Sequence, residues 1–479
     1  MCERGQENMI DEDIAEHTLD RAAAQDVPVL MEVKLESSRK SALSIKSGLV
    51  HSVSSFTDEG MYVRVVMDEG IGFASANRIS KQTGADLARR ATRLAKSGKR
   101  RERVKLSSEK AATAKWSVAQ RQKLADVSND DRLRYLKSLD SEMMSARVKV
   151  QGRYFETVDS ETHGYFASSD GARVRSMVPR LMMSCLNTVS SKGETEQSIR
   201  EWGATGGWEK TVEWAAGAAL AEEVRVLKEL IDKGKPVKSG EYDLICGPEV
   251  AGIAAHESCG HPMEADRILG REMSQAGKSF VSPKMLGDRI GSKQATVIDD
   301  PTVPGSYGYY EYDDEGVKAR PRFLYKKGII NEFLHNRETA GKLRLKSNAS
   351  SRSSVYGKEP IVRMANTFVA PGDLGEDEMV RSVKNGVLMK SFTEWNIDDK
   401  RYNQKYTSRE AYFIRDGELA GPARGCVLEI TTPRFWGSMD GVSRKVELTA
   451  AECGKGDPMQ GIAVHTGGPM LRLRGVHLK

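Results

Sequence analysis

Residues 256–261 read His-Glu-Ser-Cys-Gly-His, and the five-residue step between the two histidines is the tightest constraint on how this chain can fold. The 479-residue chain holds only eight histidines. Two imidazoles flanking a carboxylate suit a metal ion with an acid–base group beside it. In the commoner His-Glu-x-x-His motif the histidines are four apart and share one helix face. At about 100° per residue, five residues turn an α-helix by roughly 500°, which leaves the rings about 140° apart. A regular α-helix therefore cannot bring both to one ion. A single π turn, bonded from i to i+5, realigns them, and such turns concentrate at functional sites. Gly260 and Pro262 bracket the second histidine. Glycine loosens the backbone there, and proline kinks or ends a helix. The expectation is a helix opened by Pro248 and deformed at the motif.

A catalytic zinc takes three protein ligands and leaves one position open. His256 and His261 supply two. Cys453, in Ala451-Glu452-Cys453-Gly454-Lys455-Gly456-Asp457-Pro458, is the first choice for the third, on an expected loop after a strand. Metal and the nearby Lys455 both favour its thiolate. Cys259 is the rival, although a third ligand on one short segment is crowded. Glu257 is the expected general base, taking a proton from a zinc-bound water that attacks a peptide carbonyl. Among the other histidines, His163 and His335 read as structural. His465 lies in the glycine-rich Gly461–Pro469 stretch near Cys453 and is a candidate support or substrate contact.

The length suits two or three domains. The composition, 39% hydrophobic and 29% charged, is that of a water-soluble globular chain. A net charge of +6, from 73 basic and 67 acidic residues, argues for no nucleic-acid role. No apolar run approaches the ~18 residues of a membrane span, so no membrane association is expected. Met1–Glu16 is acidic and lacks an apolar stretch, so no secretory signal is expected. Six scattered cysteines without a CxxC pair fit a reducing, cytoplasmic location.

Along the chain, Asp11–Ala24 and Leu87–Ala95 have helical spacing, and residues 40–78 read as strands around a turn at Asp68-Glu69-Gly70. Residues 128–145 form a charged helix, and 147–200 alternate apolar with polar as in a sheet. Trp208–Lys233 is the longest helical pattern, ended by Gly234, Pro236 and Gly240. Beyond it come short strands between Gly and Pro turns. The expected fold class is α+β: a mixed α/β N-terminal part over 1–235, with a sub-boundary near 96–127, and a β-rich, barrel- or sandwich-like C-terminal domain over 236–479 that carries the metal site.

Several segments resemble the TldD/PmbA family of zinc metallopeptidases, of the TldD type. They are Gly70-Ile71-Gly72-Phe73-Ala74-Ser75-Ala76-Asn77; His256 to His261 with the trailing Pro262-Met263-Glu264-Ala265-Asp266; Asp313-Asp314-Glu315-Gly316; Arg363-Met364-Ala365-Asn366-Thr367; and Cys453-Gly454-Lys455. The resemblance covers nearly the whole chain. It implies zinc held by His256, His261 and Cys453, with Glu257 catalytic. It implies dimers, either of this chain or with a PmbA/TldE-type subunit that lacks the motif, and short or unfolded peptides bound as an added strand. It also implies an alternative, a non-catalytic modulator or binding subunit with a structural zinc and Cys259 or His465 as fourth ligand, because members of the family have been described as modulators of DNA gyrase. The chain departs from many relatives at 391–407, where Ser391-Phe392-Thr393-Glu394-Trp395-Asn396-Ile397-Asp398-Asp399-Lys400 replaces a glycine-rich stretch.

Further candidates stand beside simpler readings. Asp314 and Glu315 suit the amino terminus of a peptide, or a solvated turn. Arg363 and Asn366 suit a substrate backbone or carboxylate, or ties within a loop. Cys259 suits thiol redox chemistry if its thiol is acidic. The basic run Lys99–Lys105 has no interleaved aromatics and reads as a solvated linker, and Trp202, Trp208 and Trp214 read as core.

Overall fold

The structure is a computed structural model and describes residues 10–23, 28–98, 100, 102–271 and 278–479. Cys2, most of the acidic stretch before Glu12, Ala24, Val27, Lys99 and Arg101 lie outside the described residues.

The alternating segments of the N-terminal half fold into one sheet of long antiparallel strands. Leu30–Lys46 lies between Leu49–Met67 and Val150–Ser168, and Val150–Ser168 pairs in turn with Arg173–Ser191. The far side of Arg173–Ser191 takes Thr113–Ser117 at one end and Glu194–Thr205 at the other. Strands from both sides of residues 96–127 therefore share one hydrogen-bonded sheet. Strand alternation sends Val33, Leu35, Leu43 and Ile45 to one face. The first two meet helices Asp13–Ala23 and Lys81–Ser97, and the last two meet Asn129–Met144 and Ala216–Lys233. Ser128 caps Asn129–Met144 through a capping box with Asp131. The Trp208–Lys233 pattern, expected as one helix, breaks into Lys210–Glu213 and Ala216–Lys233, because Ala215 takes a left-handed φ of 46°. Trp208 is anchored separately, on Leu124, Val127 and Leu181, and tertiary packing overrides the local helical preference.

The C-terminal half is α+β but strand-dominated, as expected. It holds a ten-stranded sheet, whose path runs from Phe392–Ile397 at one edge through Gly240–Cys246 and Asn385–Met389, and a six-stranded sheet ending in Asn366–Val369, Gln460–Gly468 and Glu447–Lys455. Helix Pro248–Ala255, with proline in its first turn, follows Gly240–Cys246 directly. Val250, Ala251 and Ala254 join Leu244, Val369, Val464 and Leu471 in one core. The helix lies so close to the smaller sheet that a Cβ on Gly252 would sit 2.4 Å from the Gly467 nitrogen. This packing aims the end of the helix at the strand that carries Cys453.

Candidate metal centre

The helix does not continue as α through the motif. His256–Gly260 is a π turn, and the His261 N–H bonds the His256 carbonyl five residues back. Pro262 then starts a short 3₁₀ turn, His261–Met263. The deformation resolves the five-residue spacing: the two imidazole centroids lie 4.8 Å apart with their planes at 79°. Gly260 has ordinary helical dihedrals. Its missing side chain matters for proximity, since a Cβ there would sit 1.9 Å from Met364 Sδ.

Cys453 comes from the opposite wall. It lies within strand Glu447–Lys455, where a loop was expected, and the turn falls later, around Gly456 at φ +90°. Alternation on this strand buries Cys453 and Lys455 and turns Glu452 and Gly454 outward. Cys453 Sγ lies 3.6 Å from His261 Nε2. One donor atom from each of His256, His261 and Cys453 falls within 4.8 Å of the others. Buried His256 Nδ1 has no hydrogen-bond partner among the described residues. Two imidazoles and a thiolate, close-set with an orphaned ring nitrogen, form a donor set that zinc fits.

The charges around this trio are arranged to support it. Burial alone would raise the Cys453 thiol, but the adjacent His261, His256 and Arg363 charges outweigh it and hold the thiol well below its ordinary range. Burial opposes charge on His256, and the Cys453 thiolate with Glu257 and Glu264 raises its affinity for a proton nonetheless. His261 Nδ1 donates to Glu264 Oε2 at 2.9 Å, which leaves Nε2 facing Cys453. Glu264 is fully buried; Lys455, His261 and Arg267 overcome that burial and keep it ionised. Lys455, expected to activate the thiol, instead bonds Asp266 at 2.7 Å and the Val362 carbonyl at 2.7 Å. Arg363 is the cation that supports the cysteine, donating to the Cys453 carbonyl and, at 2.9 Å, to that of Gln460.

The trio and Glu257 open onto a cleft of about 1430 Å³. Trp202, Phe392, Trp395 and Tyr412 line it, so Trp202 is a wall of the cleft as well as a neighbour of the core. The carboxylate of Glu257, 4% exposed, pairs with Arg401. Arg401 comes from the connection between strands Phe392–Ile397 and Asn403–Ser408, inside the 391–407 segment.

Asp314, Glu315, Asn366 and His465, singled out from sequence, do not line the cleft and are hydrogen-bonded within the fold. Asp314 bonds Lys34 Nζ at 2.7 Å, and Glu315 bonds Arg64 at 2.8 Å and the Arg337 N–H at 2.7 Å, so the acidic cluster ties the C-terminal half to the N-terminal sheet. Asn366 Oδ1 accepts from Gly308 N and His465 N, both at 3.2 Å. His465 Nδ1 accepts from Tyr307 N at 2.9 Å. Cys259 is wholly buried against Tyr325, and burial drives its thiol well above the ordinary range, which disarms it as a redox nucleophile. Within the basic run, Arg100 pairs with Glu338 at 2.7 Å and is no free linker charge.

Two residues of the site were given no role by the sequence reading: Glu264, quoted only among the residues that trail the motif, and Arg401. Glu264 carries a readable signal, an acid three residues after His261 and just past the π turn. Arg401 carries none: it sits in a polar Asp398-Asp399-Lys400-Arg401 turn, 144 residues from its partner.

Three family models together span most of the chain. The PmbA/TldA metallopeptidase domain 1 matches residues 31–95, the central domain 122–228 and the C-terminal domain 239–479. A metalloprotease of Methanothermobacter thermautotrophicus is 32% identical over 448 residues, covering 92% of this chain and 94% of its own. A zinc metalloprotease TldD homolog of Saccharolobus solfataricus is 24% identical, covering 88% and 90%. In fold the chain is similar to TldE from Thermococcus kodakarensis, with a TM-score of 0.74, 16% identity and coverage of 97% and 99%. The half-chain match of the C-terminal model, over the strands and helix that converge His256, His261 and Cys453, makes this chain a member of the PmbA/TldD metallopeptidase family.

Proposed function

We propose that the chain is a zinc-dependent peptidase that hydrolyses short or unfolded peptides, with His256, His261 and Cys453 holding the metal and Glu257 as general base. The observation that carries this reading is the convergence of three donors, and of three only among the described residues, at the wall of a cleft that Glu257 shares. Three ligands leave a position open, as catalytic sites do. Zinc, when bound, supplies Lewis acidity toward a water and a peptide carbonyl. Glu257 accepts the proton that the attacking water gives up and passes it to the leaving amine.

The strand bearing Cys453 supports the choice of substrate. Among the described residues Glu447–Lys455 ends its sheet, paired only with Gln460–Gly468, and it lines the cleft. An extended peptide completes such an edge through main-chain hydrogen bonds and needs no particular side chains. A folded protein cannot offer its backbone in this way.

We infer further that the chain works as a dimer, with a second copy or a TldE-type subunit. Among the described residues, 49–59 of strand Leu49–Met67 pair on one side only and expose Leu49, Val50, Val53 and Phe56 by about half or more. Cys259 and His465, the fourth ligands required by a structural site, are committed to Tyr325 and Tyr307, which weighs against the modulator reading.

Metal analysis of wild type and Cys453→Ala, beside cleavage of an unfolded peptide, tests the proposal. The expected result is about one zinc per chain, lost with the cysteine, and chelator-sensitive cleavage abolished by Glu257→Gln. A zinc-loaded wild type that cleaves no peptide, or a fully active Glu257→Gln, overturns it.

A further inference from the structure

Arg401 is 7% exposed, and every part of its backbone is tied down. Its N–H bonds the Asp398 carbonyl at 2.9 Å, and its own carbonyl accepts from Thr432 Oγ1 at 2.8 Å. The preceding Lys400 carbonyl accepts from Phe280 N at 2.8 Å, and the Tyr402 ring meets the Phe280 ring at 5.5 Å. The residue holds a left-handed φ of +65°, which a non-glycine adopts only at a cost. The fold thus spends strain and four local contacts on delivering one guanidinium to the cleft.

A guanidinium has five N–H donors. Among the described residues only Glu257 accepts from this one, through Nη1, and the Nε–H is buried with no partner. A buried cation with idle donors is expensive unless another acceptor completes it. The cleft that Arg401 lines with Glu257, His256, His261 and Cys453 is where that acceptor would lie.

We propose that Arg401 is a catalytic residue: its guanidinium aligns the Glu257 carboxylate and donates to the carbonyl oxygen of the scissile bond. The assignment rests on the peptidase reading above. As the water oxygen bonds the carbonyl carbon, the carbon–oxygen π pair moves onto the carbonyl oxygen, and a proton passes from water to Glu257. Arg401 meets that new negative charge with N–H groups already in place. The carbonyl then re-forms, the carbon–nitrogen bond breaks, and Glu257 returns its proton to the amine. Arg401 donates hydrogen bonds in this step and transfers no proton. A planar fork can grip the carboxylate and the carbonyl oxygen together, which a lysine ammonium cannot do with the same geometry.

The test compares Arg401→Ala and Arg401→Lys with wild type in kcat, in KM and in zinc per chain. It adds the Kd of a phosphinic peptide whose tetrahedral phosphorus mimics the charged carbon centre. For Arg401→Ala, kcat is expected to fall by about 100- to 1000-fold, the usual loss for one such donor. KM should stay within about threefold, because a donor used only as charge develops leaves ground-state binding alone. Zinc content should hold while phosphinate affinity falls, and Arg401→Lys or added guanidinium ion should restore part of the rate. If Arg401→Ala does not fold, the same readouts on Arg401→Lys decide the matter, with a smaller loss of kcat at constant KM expected. The proposal is overturned if the rate is unchanged, if only KM rises, or if lost activity merely follows lost zinc. A wild type that binds zinc and cleaves nothing overturns the peptidase reading itself, and is told apart by needing no variant.

Discussion

His261 Nδ1 and Glu264 Oε2 meet at 2.9 Å with both side chains almost entirely buried, so the orientation of one imidazole of the His256, His261 and Cys453 trio is set by a carboxylate three residues away. The same oxygen also accepts from Arg267 Nε at 2.6 Å and lies 3.3 Å from Lys455 Nζ. Two cations keep the acceptor charged, and a charged acceptor fixes the histidine tautomer.

Glu264→Gln should therefore weaken zinc binding by about 10- to 100-fold while His256, His261 and Cys453 remain. Competition against a chromophoric chelator measures this directly. Unchanged affinity would show that the packing around His261, and not Glu264, orients the ring.

The two halves of the chain are joined by a buried ion cluster. Arg64 Nη1 lies 2.9 Å from Glu32 and 2.8 Å from Glu315, with all three side chains at most 2% exposed. Burial raises Glu32 to about 7 in spite of Arg64. Arg64→Met should cost about 3–5 kcal/mol in urea denaturation, because it leaves two carboxylates buried without their counter-charge. The triple change Arg64→Met, Glu32→Gln and Glu315→Gln should recover much of that loss.

Stability should fall in mild acid. Burial lowers both His335 and His465 from 6.5 to about 4. Between those values the unfolded chain binds more protons than the folded one, so stability is complete above pH 6.5 and is lost as the pH drops toward 4. Each histidine accounts for about 2 kcal/mol by pH 4.5. Denaturation of wild type and His335→Gln at pH 7 and pH 4.5 tests this: the variant should lose less on acidification, and equal losses would refute it.

Cysteine reactivity should separate the two thiols near the motif. In metal-free protein Cys453, charged and facing the cleft, should be alkylated first by iodoacetamide, and zinc should protect it. Cys259, buried and with its thiol raised, should react only on unfolding. Peptide mapping by mass spectrometry reads both sites. Alkylation of Cys259 in the folded protein would revive a redox role for it.

What was legible in the sequence was local. For both histidines to face one ion, the five-residue step from His256 to His261 required a π turn, which Gly260 and Pro262 permitted, and the turn is there. Period-two alternation announced the long strands, and the charged stretch 128–145 announced the helix Asn129–Met144. The break at Ala215 and the strand under Cys453 were not announced, since each depends on what packs or pairs against it from afar. The same holds for the acids and bases. Nothing in Asp314, Glu315 or Asn366 by itself says whether its polar atoms are free for a ligand; Lys34, Arg64 and Gly308 decide that by arriving first. Arg401 reaches Glu257 for the same reason. A charge pair between residues 144 apart leaves no periodic trace in the chain, and only the closing of one sheet edge over the end of a helix brings the two together.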